Sequence, residues 1–121
     1  MDNKDYQNET VVDSKMKKVD FEPLTHGISY LVDVDNQSKH EISKTPFIIG
    51  RSGDCALSIN NDEKVSRIHC VITKKADAFI IEDLGSTNGT FVNDKPIAKA
   101  ILKNNTKVQI GNRTFVFVVE N

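Results

Sequence analysis

An excess of charge of one sign is missing from this sequence. Sixteen Lys and Arg stand against seventeen Asp and Glu, a formal net charge of -1. A protein that coats DNA or RNA needs a strong basic surplus, so no nucleic acid is expected as partner. Long apolar runs are missing too. None approaches 18 residues, so no segment is read as spanning a membrane. The opening residues MDNKDYQNET contain no apolar stretch and do not read as a secretory signal. Cys55 and Cys70 are too few for a disulfide scaffold and are expected to be small buried hydrophobes. The three histidines are far apart, so neither a metal nor a cofactor is expected. The expected location is the cytoplasm. Internal repeats, low-complexity blocks and convincing amphipathic helices are also absent.

At 121 residues the chain has room for one domain and a tail. Residues 1–25 read as the tail. Asp2, Asp5, Glu9, Asp13, Asp20 and Glu22 against Lys4, Lys15, Lys17 and Lys18 leave it at about -2. Val11, Val12, Met16, Val19 and Phe21 hold no sustained period, so the stretch buries too little to offset its ordering entropy and is expected to be disordered. Pro23 marks its end, and residues 26–121 form the expected domain.

From Gly27 onward the pattern is all-β. Ile28, Tyr30, Val32 and Val34 alternate with Ser29, Leu31, Asp33 and Asp35. Short strands follow at 39–42, 46–49, 56–59, 68–74, 79–82, 90–92, 96–97, 107–110 and 113–119. In the 68–74 strand, Ile68, Cys70 and Ile72 share a face. Asn93-Asp94 and Gly111-Asn112 are hairpin turn signals. Ten or so short strands at this spacing indicate a β-sandwich.

The chemistry lies in three loop clusters: Gly50-Arg51-Ser52-Gly53, Ser66-Arg67-Ile68-His69 and Gly85-Ser86-Thr87-Asn88-Gly89-Thr90. Loops at one end of a sandwich converge in space despite wide sequence separation. Guanidinium, hydroxyl, amide and glycine backbone together suit a phosphate. The chain has thirteen lysines and only three arginines, and Arg51 and Arg67 both fall in these loops. Asn60 to Lys64 reads as a solvated loop, and Phe79, Phe91, Phe115 and Phe117 as core filling.

Gly50-Arg51, Ser66-Arg67-Ile68-His69, Leu84 to Asn93 and Ile110-Gly111, in this order, resemble the signature of forkhead-associated (FHA) domains. The resemblance covers about Gly27 to Val119. It implies an eleven-stranded β-sandwich that binds phosphothreonine peptides through its loops and is not an enzyme. By the same resemblance Arg51, Ser66, Arg67 and Thr87 would contact the phosphate, Thr87 by backbone or hydroxyl. Asn88 would bond the peptide main chain. His69 would brace the loops without touching the ligand, and Gly50 and Gly89 would occupy tight backbone positions. Lys103-Asn104-Asn105-Thr106 departs from the acidic turn common in the family, away from the ligand.

Two other function classes compete. Ser66, His69 and Asp83 name a hydrolase triad, but Ser66 and His69 are three apart entering a strand and would face opposite sides. The other is an FHA-fold adaptor that binds its partner independently of phosphate. The retained Arg51, Ser66 and Asn88 favour phosphothreonine recognition in Ser/Thr kinase signalling. Balanced charge and no evident large apolar patch imply a monomer. Residues 1–24 hold one threonine, Thr10, with Asp13 three residues later. FHA domains commonly select at that third position, often through the residue two before the serine, here Lys64. Phosphorylation of Thr10 by a Ser/Thr kinase would close the tail onto the domain's own site, as in small bacterial FHA regulators.

Overall fold

A computed structural model describes residues 27–120. The tail and His26 lie outside the described residues. Eleven strands form: β1 (Ile28–Asp33), β2 (Lys39–Glu41), β3 (Phe47–Gly50), β4 (Leu57–Ser58), β5 (Cys70–Lys75), β6 (Ala78–Asp83), β7 (Thr90–Val92), β8 (Lys95–Ile97), β9 (Lys99–Leu102), β10 (Thr106–Ile110) and β11 (Arg113–Glu120). They make a six-stranded sheet in the order β2-β1-β11-β10-β7-β8 and a five-stranded sheet in the order β4-β3-β5-β6-β9. All pairings are antiparallel except β3 with β4. The two sheets face each other over Leu31, Val108, Ile110, Phe115 and Phe117 on one side and Phe47, Ile49, Cys70, Ile72 and Ile81 on the other. No helix among the described residues is long and apolar enough to cross a membrane.

Several local readings change. Strand β9 was not expected, because Lys99-Ala100-Ile101-Leu102 is poor in the β-branched and aromatic residues that favour strands. Its pairing with β6, from Phe79↔Leu102 to Glu82↔Lys99, overrides that propensity. In β1 the buried set is Ser29, Leu31 and Asp33, although the alternate set is the more apolar. The neighbouring strand decides the phase: Leu31 and Asp33 stand opposite Phe117 and Phe115, whose burial outweighs that of the smaller side chains. Ile68 is 45% exposed and precedes β5, so it does not share the inner face of Cys70 and Ile72. Cys70 is fully buried, but Cys55 is only half-buried; both are free thiols. Burial pushes the Cys70 thiol up to about 12, which leaves it a packing residue.

The outer face of the five-stranded sheet is more apolar than expected. Ile49, Ile72 and Ile81 point inward, so Ile48, Val71 and Ile80 point outward, beside Ile101 on β9. Ile101 is 59% exposed. The turns follow the sequence more closely. Asn93 and Asp94 both take positive φ, 50° and 71°, as a two-residue type I′ hairpin requires.

Asp33 carries the one carboxylate of β1 into the interior, where Arg113 meets it. Arg113 Nε donates to Asp33 Oδ2 at 3.1 Å, and its Nη2 donates to the same oxygen. Burial pushes the Asp33 carboxyl up. The bond from Arg113, the backbone N–H of Asp35 and the guanidinium charge outweigh burial and hold it below the ordinary 3.8. A folded-state value below the unfolded one means that the stabilisation is fully present above the unfolded pKa. It is lost as pH falls through the folded value. Asp33→Asn is therefore expected to cost about 2–3 kcal/mol at neutral pH, because breaking a buried pair is expensive and a quarter of Arg113 still reaches water. Denaturant titrations across pH check this: the wild-type advantage should shrink below about pH 4. An advantage that grows on acidification would contradict the assignment.

Candidate functional site

The end of β3 and the segment before β5 are held together by backbone. Arg51 N–H donates to Ser66 O (2.9 Å), Ser52 N–H to Arg67 O (3.2 Å) and His69 N–H to Ile49 O (2.9 Å). Gly50 makes this approach possible. A Cβ there would stand 2.2 Å from Arg67 O, and backbone cannot yield as a side chain can. Arg51 Nε donates to Val65 O at 2.9 Å, which fixes the guanidinium. The hydrogen bonds of the described residues leave its two terminal nitrogens free.

His69 lies beneath, fully buried. The Ser66 N–H donates to its Nδ1 at 3.0 Å. That makes Nδ1 the acceptor and places the proton on Nε2, which donates to Gly89 O at 2.9 Å. Leu84 N–H donates to the His69 carbonyl. One residue thus ties together the segments around Ser66, Leu84 and Gly89. The expectation that Ser66 and His69 face opposite sides fails, because β5 begins only at Cys70 and the chain bends at Arg67 and Ile68. The contact still gives no hydrolase: both imidazole nitrogens are occupied by backbone, so neither can take a proton from the Ser66 hydroxyl.

Two carboxylates shape the flanking loops, and sequence reasoning missed both roles. Asp83 accepts from the N–H groups of Gly85 (3.1 Å) and Ser86 (3.0 Å), and from the hydroxyls of Ser86 (2.6 Å) and Thr90 (2.7 Å). Ser86 Oγ accepts in turn from Gly89 N–H at 2.9 Å. Burial raises the Asp83 carboxyl, but the bonds from Ser86 and Thr90 more than offset it and hold it below the ordinary carboxylate value. Gly85 (φ +74°) and Gly89 (φ +90°) let the loop turn inside this frame. Asp62 is buried, contrary to the reading of 60–64 as a solvated loop. It accepts from Lys64 N–H (3.0 Å), Asn112 N–H (2.7 Å) and Asn112 Nδ2 (3.1 Å), joining this loop to the β10–β11 turn. The bond from Asp62 to the N–H two residues on is an Asx turn, whose signal is present in Asp62-Glu63-Lys64. Its partner fifty residues away leaves no local signal.

Above this frame lies an open cleft of about 310 Å³. Arg51, Lys64, Ser66, Arg67, Thr87 and Asn88, the six residues expected to meet a ligand, all line it; Glu63 adds the one carboxylate. Gly50, His69 and Gly89 sit behind them, and Thr10 lies outside the described residues. Thr87 N–H donates to Ser66 Oγ at 3.1 Å, which leaves the Ser66 O–H and the Thr87 hydroxyl to act as donors toward the cleft. Asn88 Nδ2 donates to Lys64 O at 2.9 Å, bridging the two loops and leaving its Oδ1 free to accept. Cys55 Sγ lies 3.5 Å from Arg67 O, a weak donor in the same frame. The cleft therefore offers three cations and a set of oriented hydroxyls on a rigid base, an anion site in chemical terms.

Comparison with known proteins agrees with the geometry. The family model "FHA domain" matches residues 47–111. The chain is 39% identical over 69 residues to the glycogen accumulation regulator GarA of Mycolicibacterium smegmatis, a match covering 57% of this chain and 43% of that one. It is 31% identical over 90 residues to the FHA domain-containing protein FhaB of Mycobacterium tuberculosis, covering 71% of this chain and 57% of that one. The chain thus spans only about half the length of such relatives. The structure of Mycobacterium tuberculosis EmbR in complex with a low affinity phosphopeptide superposes with a TM-score of 0.74 at 26% identity, covering 77% of this chain and 24% of that one.

The frame and the rim should separate in mutagenesis. His69→Ala strands the Ser66 N–H and the Gly89 carbonyl and opens a cavity, at an expected cost of about 3 kcal/mol or more. Arg51→Ala removes one bond at an exposed edge and should stay within about 1 kcal/mol of wild type. Chemical denaturation measures both, and the reverse order would invert the roles assigned here.

Proposed function

The chain belongs to the FHA-domain family, and we propose that it is a non-catalytic module that recognises phosphothreonine peptides in Ser/Thr kinase signalling. The observation that carries this reading is the set of free donors on a fixed frame. Arg51 is held by Nε and presents its two terminal nitrogens. The Ser66 hydroxyl is oriented by the Thr87 N–H, and Arg67 and Thr87 stand beside it. A phosphothreonine brings about -1.5 to -2 charges and three acceptor oxygens, which these groups match. Asn88 Oδ1 is placed to accept a main-chain N–H of the peptide. Because the donors are held before the ligand arrives, little ordering entropy is lost on binding. Lys64, exposed beside the cleft, selects an acidic residue further along the peptide.

The tail supplies one ligand of this kind in the same reading: Thr10, once phosphorylated by a Ser/Thr kinase, closes onto Arg51, Ser66 and Asn88, with Asp13 toward Lys64. Gly27 leads into β1 opposite Glu120, whereas the site lies at the end marked by Asp33 and Arg113. The tail must therefore travel the length of the sandwich, about 26 Å for the eight residues of β11. Seventeen residues from Thr10 to Gly27 have an r.m.s. span of about 21–25 Å, so the trip is within reach and the effective concentration is in the low millimolar range.

Calorimetry with a phosphothreonine peptide tests the site. Arg51→Ala and Ser66→Ala should each weaken binding at least about tenfold, since charge-assisted bonds contribute roughly 1.5–3 kcal/mol. Phosphoserine should bind more weakly, and the unphosphorylated peptide not at all. Equal binding of the unphosphorylated twin would make the chain a phosphate-independent adaptor instead. For the tail, amide signals of Arg51, Ser66 and Asn88 should move when Thr10 is phosphorylated, and affinity for an external phosphopeptide should fall. Unmoved signals would dismiss closure while leaving the peptide reading intact.

A further inference from the structure

Four strands lie at the edges of the two sheets: β2, β4, β8 and β9. Three of them are poor templates for a further strand. β2 and β4 are only three and two residues long. β8 carries Pro96, which stands opposite Phe91 and has no N–H to give. β9 has four residues, Lys99–Leu102, and no proline. Its register with β6 fixes which of its backbone groups are used. Asp83 N–H donates to Ala98 O at 2.9 Å, so in the register that sets Phe79 opposite Leu102 the hydrogen-bonded positions are Ala98, Ala100 and Leu102. The N–H and C=O of Lys99 and Ile101 therefore point away from β6, and among the described residues nothing bonds to them.

The side chains along this edge are of two kinds. Ile101 is the most exposed large apolar residue among the described ones, and it continues the outward row of Thr73 and Ile80 across the sheet. On the same face Lys99 stands opposite Glu82, and Lys103 follows two residues beyond Ile101. From Lys95 to Lys107 the chain holds four lysines and no carboxylate. Lys107 is paired with Asp94 at 2.7 Å, whereas Lys95, Lys99 and Lys103 make no ion pair among the described residues. A second copy pairing on this edge would bring those lysines against their like, a common protection of an edge strand against its own kind. An acidic strand meets no such penalty and gains opposite-charge pairs.

We propose that β9 is a docking edge for an extended, acidic segment of a partner protein, which adds antiparallel as a sixth strand of the five-stranded sheet. Two residues of that segment face Lys99 and Ile101 and exchange both N–H and C=O with each. Its side chains alternate to match. An apolar one lies beside Ile101, acidic ones lie beside Lys99 and Lys103, and the two between them point to the other side of the sheet. The main-chain bonds supply affinity, and the pattern acidic–x–apolar–x–acidic supplies selectivity. None of these residues lines the phosphopeptide cleft, so the inference does not rest on the phosphothreonine reading.

The experiment is an NMR titration of the full 121-residue chain with an unphosphorylated peptide centred on Glu-Thr-Ile-Thr-Glu. Amide signals of Lys99 and Ile101 should shift and their hydrogen exchange should slow, while signals at Ser66 and Asn88 stay in place. Methylating the backbone nitrogen of the peptide's isoleucine removes an N–H aimed at β9 and should weaken binding about tenfold or more. The same methyl on an adjacent threonine, whose N–H faces away, should change it by no more than about twofold. Lys99→Glu/Lys103→Glu alters only exposed side chains; it should abolish binding of this peptide and admit its counterpart with lysine in place of glutamate. Unmoved Lys99 and Ile101 signals at about 1 mM peptide would overturn the proposal. Equal effects of the two methyl groups would also overturn it, by leaving only charge attraction. Shifts confined to Arg51 and Ser66 would do the same, by sending the acidic peptide to the cleft.

Discussion

A neutral imidazole with both nitrogens committed to backbone is the constraint on which this binding end depends. His69 must accept from Ser66 N–H on one side and donate to Gly89 carbonyl on the other. No other side chain offers an acceptor and a donor at opposite edges of a rigid ring of that size. An amide is shorter and a cation lacks the acceptor. Because the ring is fully buried, each of its bonds is made in a medium where losing it leaves a polar group stranded. The positions of Ser66, Thr87 and Asn88 follow from it, since the first is bonded to the ring and the other two precede the glycine it holds.

The remaining loop geometry rests on carboxylates rather than on apolar contacts. Asp83 gathers four donors from the Gly85–Thr90 loop, and Asp62 gathers three from its own loop and the β10–β11 turn. Gly111 (φ +61°) sits so close that a Cβ would lie 2.6 Å from Val65 and 2.7 Å from Asp62. The protein thus spends negative side chains beneath the cleft and keeps cations on its rim. Arg51, Lys64 and Arg67 line the cleft, while Asp62 and Asp83 are saturated by hydrogen bonds from the loops.

The sheet architecture and the cleft residues were legible in the sequence because both are written locally. Alternation around Leu31 and Ile72, turn residues such as Asn93-Asp94, and the order of the Arg51, Ser66 and Asn88 motifs all lie within a few residues of the feature they specify. What was not legible is set by contacts across the chain. The inward phase of β1 is chosen by Phe115 and Phe117, some eighty residues away. Strand β9 exists because β6 offers it an edge. Asp62 reads as a solvated loop charge until Asn112 is brought beside it. Cys55 reads as buried from residue type alone and Ile68 shares a face with Cys70 and Ile72 by alternation, but Cys55 is only half-buried and Ile68 precedes β5, which begins at Cys70.

In the tail closure proposed above, the entry point of the chain sets how a ligand carried by the tail would compete with one from outside. Gly27 lies at one end of the sandwich and the cleft opens at the other, so a phosphorylated Thr10 would have to cross that length. Even so, an effective concentration in the low millimolar range exceeds a micromolar partner by about a thousandfold, which is worth about 4 kcal/mol. A tail ligand whose intrinsic dissociation constant is near 0.1 mM would then hold the site roughly nine-tenths closed at about 1 mM effective concentration. On the closure proposed above, the tail sequence could therefore be a mediocre ligand and still govern access. Its contribution would be tuned by tether length as much as by the proposed pairing of Asp13 with Lys64.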